Sequence, residues 1–149
     1  MDTILAATDG SQEGRAAVES AVELARDEGA RLVCVRVASV LDFGPREREG
    51  GTAASPTRVP RAEDDPVLTE ALELADEAGV DAETELLVGY APKQILRLAE
   101  DLDADLIVVG SRGLAGLKSR IVGSTSREVV AHADRPVLVV RVPPGLALR

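Results

Sequence analysis

The sequence contains almost no aromatic residues. Phe43 and Tyr90 are the only two, and tryptophan is absent. Proteins that bind single-stranded nucleic acid usually stack bases on aromatic side chains, so this composition argues against that function. The formal net charge of -9 argues equally against a broad basic surface for duplex binding. We therefore expect no nucleic-acid partner, and we interpret Tyr90, which follows the third predicted strand, as a packing residue.

Cysteine and histidine are equally scarce. Cys34 and His132 occur once each, which excludes an internal disulfide and a transition-metal cluster, and a Cys in an apolar run with a His on an exposed helix end does not suit a Cys–His catalytic site. A lone cysteine inside an apolar run suits a reducing compartment, and no leader-like pattern opens the sequence, so we expect a cytoplasmic protein. No apolar run approaches the ~20 residues of a membrane span, and we expect no membrane partner.

Short apolar runs alternate with helical patterns along the 149 residues, a length that predicts one domain, 1–149. Apolar runs at 3–8, 32–37, 82–88, 106–109 and 136–142 predict five strands. Helices are predicted over 11–28, from Asp65-Pro66 onward, from Pro92 onward and over 125–133. This alternation predicts an α/β fold, a parallel sheet with helices on both faces. Residues 38–64 have little apolar periodicity, which is typical of a lid or a mobile loop.

The segment after the fourth predicted strand has an unusual composition. Residues 106–127 contain no Asp or Glu, although the chain is acidic, and they hold four glycines and four cations. Glycines let backbone N–H groups approach a ligand closely. Gly123-Ser124-Thr125 then opens a helix, whose first amides carry a partial positive charge. Amides, hydroxyls and cations together would bind a phosphate there.

Simpler explanations of these residues remain open. Thr125 begins a Thr-Ser-Arg-Glu sequence, the pattern of a capping box, so its hydroxyl could serve only to start the helix. Asp9, in the Asp9-Gly10-Ser11 turn, could likewise only cap the first helix. The sequence has neither a Walker P-loop nor a G-x-G-x-x-G fingerprint, which disfavours a P-loop NTPase and a dinucleotide dehydrogenase.

The glycine spacing resembles that of a known family. Gly110-x2-Gly113-x9-Gly123-Ser124 is similar to the nucleotide-binding signature of the ATP-binding branch of the universal stress protein family. The first turn (Thr8-Asp9-Gly10-Ser11), the run "DADLIVVGSRG" and the closing "RPVLVV" resemble its other hallmarks. Arg36 departs from the pattern, because many members carry histidine there. The resemblance implies an open, Rossmann-like five-stranded parallel sheet of the adenine nucleotide alpha hydrolase type. Its strand order would be 3-2-1-4-5, with the ligand beside strands 1 and 4.

The resemblance also implies a ligand, ATP, alone or with Mg²⁺ or Mn²⁺. The residues implied for its phosphates are Gly110, Gly113, Gly123, Ser124 and Thr125. The candidate phosphate-side cations are Arg112, Lys118 and Arg120. Asp9 would face the ribose or, through water, a metal ion. Ala7 and Thr8 would line the adenosine, and Val37 would present backbone groups to the adenine.

The function implied is that of an ATP-binding regulatory protein of the stress response, whose nucleotide occupancy modulates an unidentified protein partner. A slow ATPase or a nucleotide-dependent phosphotransferase is the alternative, and a purely structural dimer is a third possibility. We assign no catalytic residue, because nothing in the sequence resembles a positioned catalytic base or an arginine finger.

The third and fifth predicted strands, the two edges of the implied sheet, differ in charge. Glu83 and Glu85 alternate along the third strand, as charges on open edges often do. The fifth strand has no charge before Arg141. An exposed strand edge without charge is best explained by pairing with a second copy of the chain, so we expect a homodimer. A two-fold axis makes this pairing antiparallel. The residues of this joint would be Val137, Leu138, Val139 and Val140.

Overall fold

Strands and helices alternate in the computed structural model, which describes residues 1–39, 61–112 and 123–142. The strands are β1 (Thr3–Ala7), β2 (Arg31–Ala38), β3 (Ala82–Val88), β4 (Leu106–Gly110) and β5 (Val137–Val140). The helices are α1 (Gln12–Glu28), α2 (Pro66–Glu77), α3 (Ala91–Asp101) and α4 (Ser124–His132). A short 3-10 helix, Ala62–Asp64, precedes α2.

The five strands form one parallel sheet in the order β3-β2-β1-β4-β5. The predicted fold class and strand order are therefore confirmed. The winding of the sheet reverses between β1 and β4, which pair directly through Ala6 and Val108. Both ends of the segment predicted as a loop, 38–64, belong to regular structure: Ala38 is the last residue of β2, and Ala62–Asp64 forms the 3-10 helix. Residues 40–60 lie outside the described part.

Two helices begin at side-chain caps. The hydroxyl of Ser11 accepts a hydrogen bond from the amide of Gly14 at 3.0 Å and so starts α1. The carboxylate of Asp65 accepts from the amide of Leu68 and starts α2, as its position before a proline predicts. Asp9 is not the cap of α1. Its Oδ1 accepts from the amide of Ser11 at 2.9 Å, which stabilises the turn before the helix.

The predicted capping box of the last helix is wrong. α4 begins at Ser124 with Gly123 as its N-cap, so Thr125 lies inside the first turn and does not precede it. Because Gly123 has no side chain, its cap position offers no hydroxyl or carboxylate to the first amides of the helix.

The core occupies both faces of the sheet. On one face α1 and α2 pack on alternate strand residues, with Ile4, Val18 and Leu68 fully buried. On the other face α3 and α4 cover a second cluster that includes Leu5 and Val129. The alternation follows from the period of two along a strand, and it confirms the predicted helices on both faces.

Cys34 lies in the centre of this core. Its side chain is buried in β2, and burial raises the pKa of its thiol to about 12. Within the described ranges, none of the helices combines the length and the apolarity needed to cross a lipid bilayer.

The two edges of the sheet differ in chemistry. Glu83 and Glu85 are exposed on β3, and Glu83 accepts a hydrogen bond from Arg31 of the neighbouring strand at 2.7 Å. On β5, Leu138 is 37% exposed. Val139 instead packs against the cluster under α3 and α4. Leu138 is therefore the large apolar side chain that this edge presents to its surroundings.

Candidate functional site

Two strand ends meet at the carboxyl edge of the sheet, where its winding reverses. β1 continues into Thr8 and Asp9, and β4 ends at Gly110 beside it. From this point α1 passes to one face of the sheet and α4 follows on the other. Open parallel sheets bind ligands in the crevice that such a divergence leaves.

Gly110 allows β4 to end against the first turn of α1. A Cβ atom at this position would lie 2.7 Å from the carbonyl carbon and oxygen of Glu13. Gly14 makes the same accommodation on the opposite side, since its Cβ would lie 2.8 Å from Thr8 Oγ1 and 2.9 Å from Asp9 Oδ1. Sequence reasoning missed Gly14, although a glycine in the first turn of a predicted helix is a signal of close packing. Gly110 thus has a packing role whether or not it contacts a ligand.

We expect Gly110→Ala to lower the free energy of unfolding by about 2–3 kcal/mol, because the added methyl group must displace backbone atoms of α1. Gly29→Ala is the control for the change in backbone freedom. It follows α1 at a φ of 65°, and a Cβ there would meet no described atom within 4 Å. The control should lose only about 1 kcal/mol. Denaturant unfolding measures both losses, and equal losses would contradict the close contact.

The crevice is less free of acids than the sequence indicates. Glu13 of α1 lies 3.7 Å from the guanidinium of Arg112, and the two side chains are only 15% and 28% exposed. The acid-free segment 106–127 therefore has an acid beside it in space, contributed by a distant part of the chain. The interpretation of Arg112 as a phosphate-side cation stays a prediction. In the structure its guanidinium forms an ion pair with Glu13.

A buried hydroxyl joins the end of β4 to the start of α4. Ser126 Oγ is the donor to the carbonyl oxygens of Ser111 and Gly123, at 3.2 and 3.0 Å, and the residue is 1% exposed. The amide of Gly123 also donates to the carbonyl of Ser111, whose own amide donates to Val140 on β5. Sequence reasoning missed Ser126, because a hydroxyl that satisfies distant carbonyls leaves no pattern in a Ser-Thr-Ser run. These bonds fix the first turn of α4 beside the sheet.

The first turn of α4 carries polar groups and no acid. Ser124 is exposed, Thr125 is half-buried, and the turn contains neither Asp nor Glu. Since the N-cap is a glycine and the first turn has no acid, α4 itself contributes no carboxylate to neutralise the positive end of its dipole. Gly113, Lys118 and Arg120 lie outside the described residues.

The residues predicted for the adenosine lie at the ends of β1 and β2. Ala7 and Val37 are half-buried, and Val37 pairs with Leu87 of β3. Thr8 is buried, and its amide donates to the carbonyl of Val35 at 2.9 Å. β1 and β2 therefore continue together to the crevice.

Arg36, the residue that departs from the family pattern, has a structural partner. Its Nη1 lies 3.2 Å from Oδ1 of Asp65, the cap of α2, and the two side chains are largely buried. The ion pair joins the end of β2 to the start of α2. In the described part of the chain, no group of three or more His, Cys, Asp or Glu side chains is placed to hold a metal ion.

Tyr90 is not a packing residue, contrary to our interpretation of the sequence. It is 59% exposed, and its hydroxyl donates a hydrogen bond to Oε1 of Glu128 on α4. This hydrogen bond raises the pKa of Tyr90, because ionisation would remove the donated proton and place two negative charges together. The contact joins the start of α3 to the second turn of α4.

An open parallel sheet with a polar crevice at its switch point defines a doubly wound α/β protein. The family model described as "Universal stress protein family" matches residues 1–141. The chain therefore belongs to the universal stress protein family, as the resemblance predicted, while membership of its ATP-binding branch stays a prediction.

Relatives of this family match nearly the whole chain. A universal stress protein of Methanocaldococcus jannaschii is 33% identical over 140 residues, which cover 94% of this chain and 82% of that protein. The universal stress protein YxiE of Bacillus subtilis is 36% identical over 153 residues, with 93% and 97% covered. Among solved structures, a universal stress protein in complex with cAMP superimposes with a TM-score of 0.68 at 28% identity. The match covers 94% of this chain and 96% of that one.

Proposed function

We propose that the chain is a regulatory protein that binds an adenine nucleotide, ATP, in the crevice between β1–α1 and β4–α4. The observation that carries this proposal is the glycine-capped, acid-free first turn of α4, fixed at the switch point of the sheet. A helix start of this kind is an anion site, because its amides have no intrahelical partner and its dipole favours negative charge. The related structure with cAMP supports an adenine nucleotide as the ligand class.

The donor groups at the helix start fit a phosphate chain. The amides and hydroxyls of Ser124 and Thr125 would bind phosphate oxygens, and the absence of a side chain at Gly123 leaves room for the approach. Gly110, at the end of β4, would likewise let its backbone approach a phosphate closely. Arg112 would add charge next to its contact with Glu13, and we assign the same phosphate role to Gly113, Lys118 and Arg120.

The other end of the crevice suits the nucleoside. Ala7 and Thr8 would line the adenosine, and the backbone of Val37 would contact the adenine edge. Asp9, fixed by the amide of Ser11, would face the ribose or, through water, Mg²⁺ or Mn²⁺ on the phosphates. Such an ion would neutralise phosphate charge beside Asp9 and Glu13, which would otherwise repel it.

Regulation is the proposed role, because a nucleotide in the crevice would change the surface seen by a protein partner. We propose a cytoplasmic location, which a single cysteine without a disulfide partner suits. We also propose that two copies pair through β5, an edge without charge before Arg141 on which a second copy would cover Leu138.

Mass spectrometry of the small molecules released on denaturation tests the ligand, and calorimetry of the purified protein tests the site. We expect ATP in the released fraction. In calorimetry we expect heat on ATP binding, and cAMP and GTP should each compete for the site with lower affinity than ATP. Binding of none of the adenine nucleotides would refute the proposed function. Preferred binding of cAMP would retain the site and reject ATP as its ligand.

A further inference from the structure

The backbone of Tyr90 lies beside the end of β2. The register of β2 and β3 places Ala38 opposite Val88, and the amide of Gly89 donates to the carbonyl of Ala38 at 3.0 Å. Tyr90 is the next residue, the N-cap of α3. Its backbone therefore lies close to the end of β2, the strand end for which we propose contact with the adenine through Val37.

The side chain of Tyr90 extends from this point to α4. Its hydroxyl is bonded to Glu128, which lies four residues after Ser124 and hence on the same face of the helix, one turn further on. The ring thus spans the gap between the end of β2 and the first turns of α4. A nucleotide with its base at Val37 and its phosphates at Ser124 must bridge the same gap.

Neither packing nor helix capping explains why an aromatic ring occupies this position. Tyr90 is 59% exposed in a chain whose aromatic content is 1%. As the N-cap of α3 it would be replaceable by any residue with an extended backbone, since its side chain forms its described hydrogen bond with α4 and not with α3. A ring anchored at its hydroxyl presents a flat apolar face with little freedom to rotate away.

We propose that Tyr90 is the surface on which the base of the bound nucleotide stacks, and that Glu128 positions its ring. The proposal deepens the nucleotide binding proposed above and rests on it. Stacking contributes to the binding of the base alone, so the structure assigns to Tyr90 the recognition of a nucleotide over a bare polyphosphate chain.

Two ligands separate this role from a structural one. Calorimetry should compare ATP with inorganic tripolyphosphate, which has the phosphates and no base, on the parent protein and on Tyr90→Ala and Tyr90→Phe. Tyr90→Ala should weaken ATP binding about 5- to 150-fold, the effect of losing one base–aromatic stack. Tripolyphosphate binding should change by less than about twofold, because its contacts lie at α4. Tyr90→Phe retains the ring and should keep most of the ATP affinity.

The fluorescence of Tyr90 gives an independent measurement, because the chain has one tyrosine and no tryptophan. ATP should lower the emission intensity of the parent after correction for absorption by adenine, and tripolyphosphate should leave it unchanged. The correction comes from the same ATP additions to free tyrosine at the same absorbance.

The outcomes are distinct. ATP binding with an unchanged corrected emission, parent-like ATP affinity in Tyr90→Ala, or equal weakening of both ligands would each overturn the role of Tyr90 and leave the nucleotide site intact. A parent protein that binds no adenine nucleotide would refute the site and Tyr90's role together. Thermal unfolding of Tyr90→Ala and Tyr90→Phe should occur only slightly below that of the parent, because the residue is 59% exposed and each variant loses the one hydrogen bond to Glu128.

Discussion

Gly123→Val is expected to abolish ATP binding, with a loss of at least about 100-fold, equivalent to roughly 3 kcal/mol of steric exclusion. The branched side chain would stand at the N-cap of α4, where a phosphate must approach the first amides. The fold should tolerate the change, because Gly123 has φ -59° and ψ 161°, a conformation that valine adopts readily. The amide that donates to Ser111 is retained in the variant.

The matched control lies at the other end of the same helix. Ala133, the C-cap of α4, is half-buried and has φ -70° and ψ 141°, so Ala133→Val adds bulk in the same backbone conformation. This control should bind ATP as the parent does. Calorimetry of both variants, alongside their unfolding curves, separates ligand exclusion from damage to α4. Unchanged ATP affinity in Gly123→Val would remove the helix start from the site.

Leu138→Lys is expected to convert a dimer into monomers. Light scattering should find the parent dimeric at micromolar concentration, and a two-fold axis would place both copies of the substitution in one interface. Leu138 is 37% exposed before pairing, so each copy would lose about 0.5–1 kcal/mol of burial, and the dimer should weaken at least about 5-fold before the cost of burying two charges is added. Leu138 is a better probe of this edge than Val139, because the side chain of Val139 also packs against the core beneath α3 and α4.

Leu72→Lys provides the control for the added charge. Leu72 lies on α2 and is 37% exposed, the same fraction as Leu138. Its variant should remain dimeric. A monomeric parent would refute the proposed interface, and dissociation of the Leu72→Lys variant would show that charge alone, and not the β5 edge, controls assembly.

Local patterns predicted the elements of this fold well. The start of α2 at Asp65-Pro66 was confirmed because both the cap and the proline act on their immediate neighbours. The five strands were recognised from apolar runs, and their order came from the family resemblance. The start of α4 was predicted one residue late. Its Ser-Thr-Ser sequence allows more than one N-cap. In the structure the N-cap is Gly123, whose amide donates a hydrogen bond to the carbonyl of Ser111.

The contacts that shape the crevice had no signal in the sequence. Glu13 reaches Arg112, and Tyr90 reaches Glu128, only because the sheet brings their helices together. Local sequence rules describe neighbours along the chain, so pairs of this kind require the tertiary fold. The steric role of Gly110 was missed for the same reason, although its proximity to a strand end was predicted correctly.

The burial of Cys34 has a practical consequence for chemical modification. A thiol with a pKa of about 12 is ionised in roughly one molecule in 10⁵ at neutral pH, and the side chain is also shielded from solvent. The folded protein should therefore be inert toward alkylating reagents and peroxides at its single cysteine. Modification of Cys34 would then report the opening of the centre of the sheet, as a rate when the reagent reacts faster than the sheet recloses and as a population when it reacts more slowly. A cysteine introduced on the surface, at Leu72 for example, would be the one thiol that reacts with a maleimide label while the fold is intact.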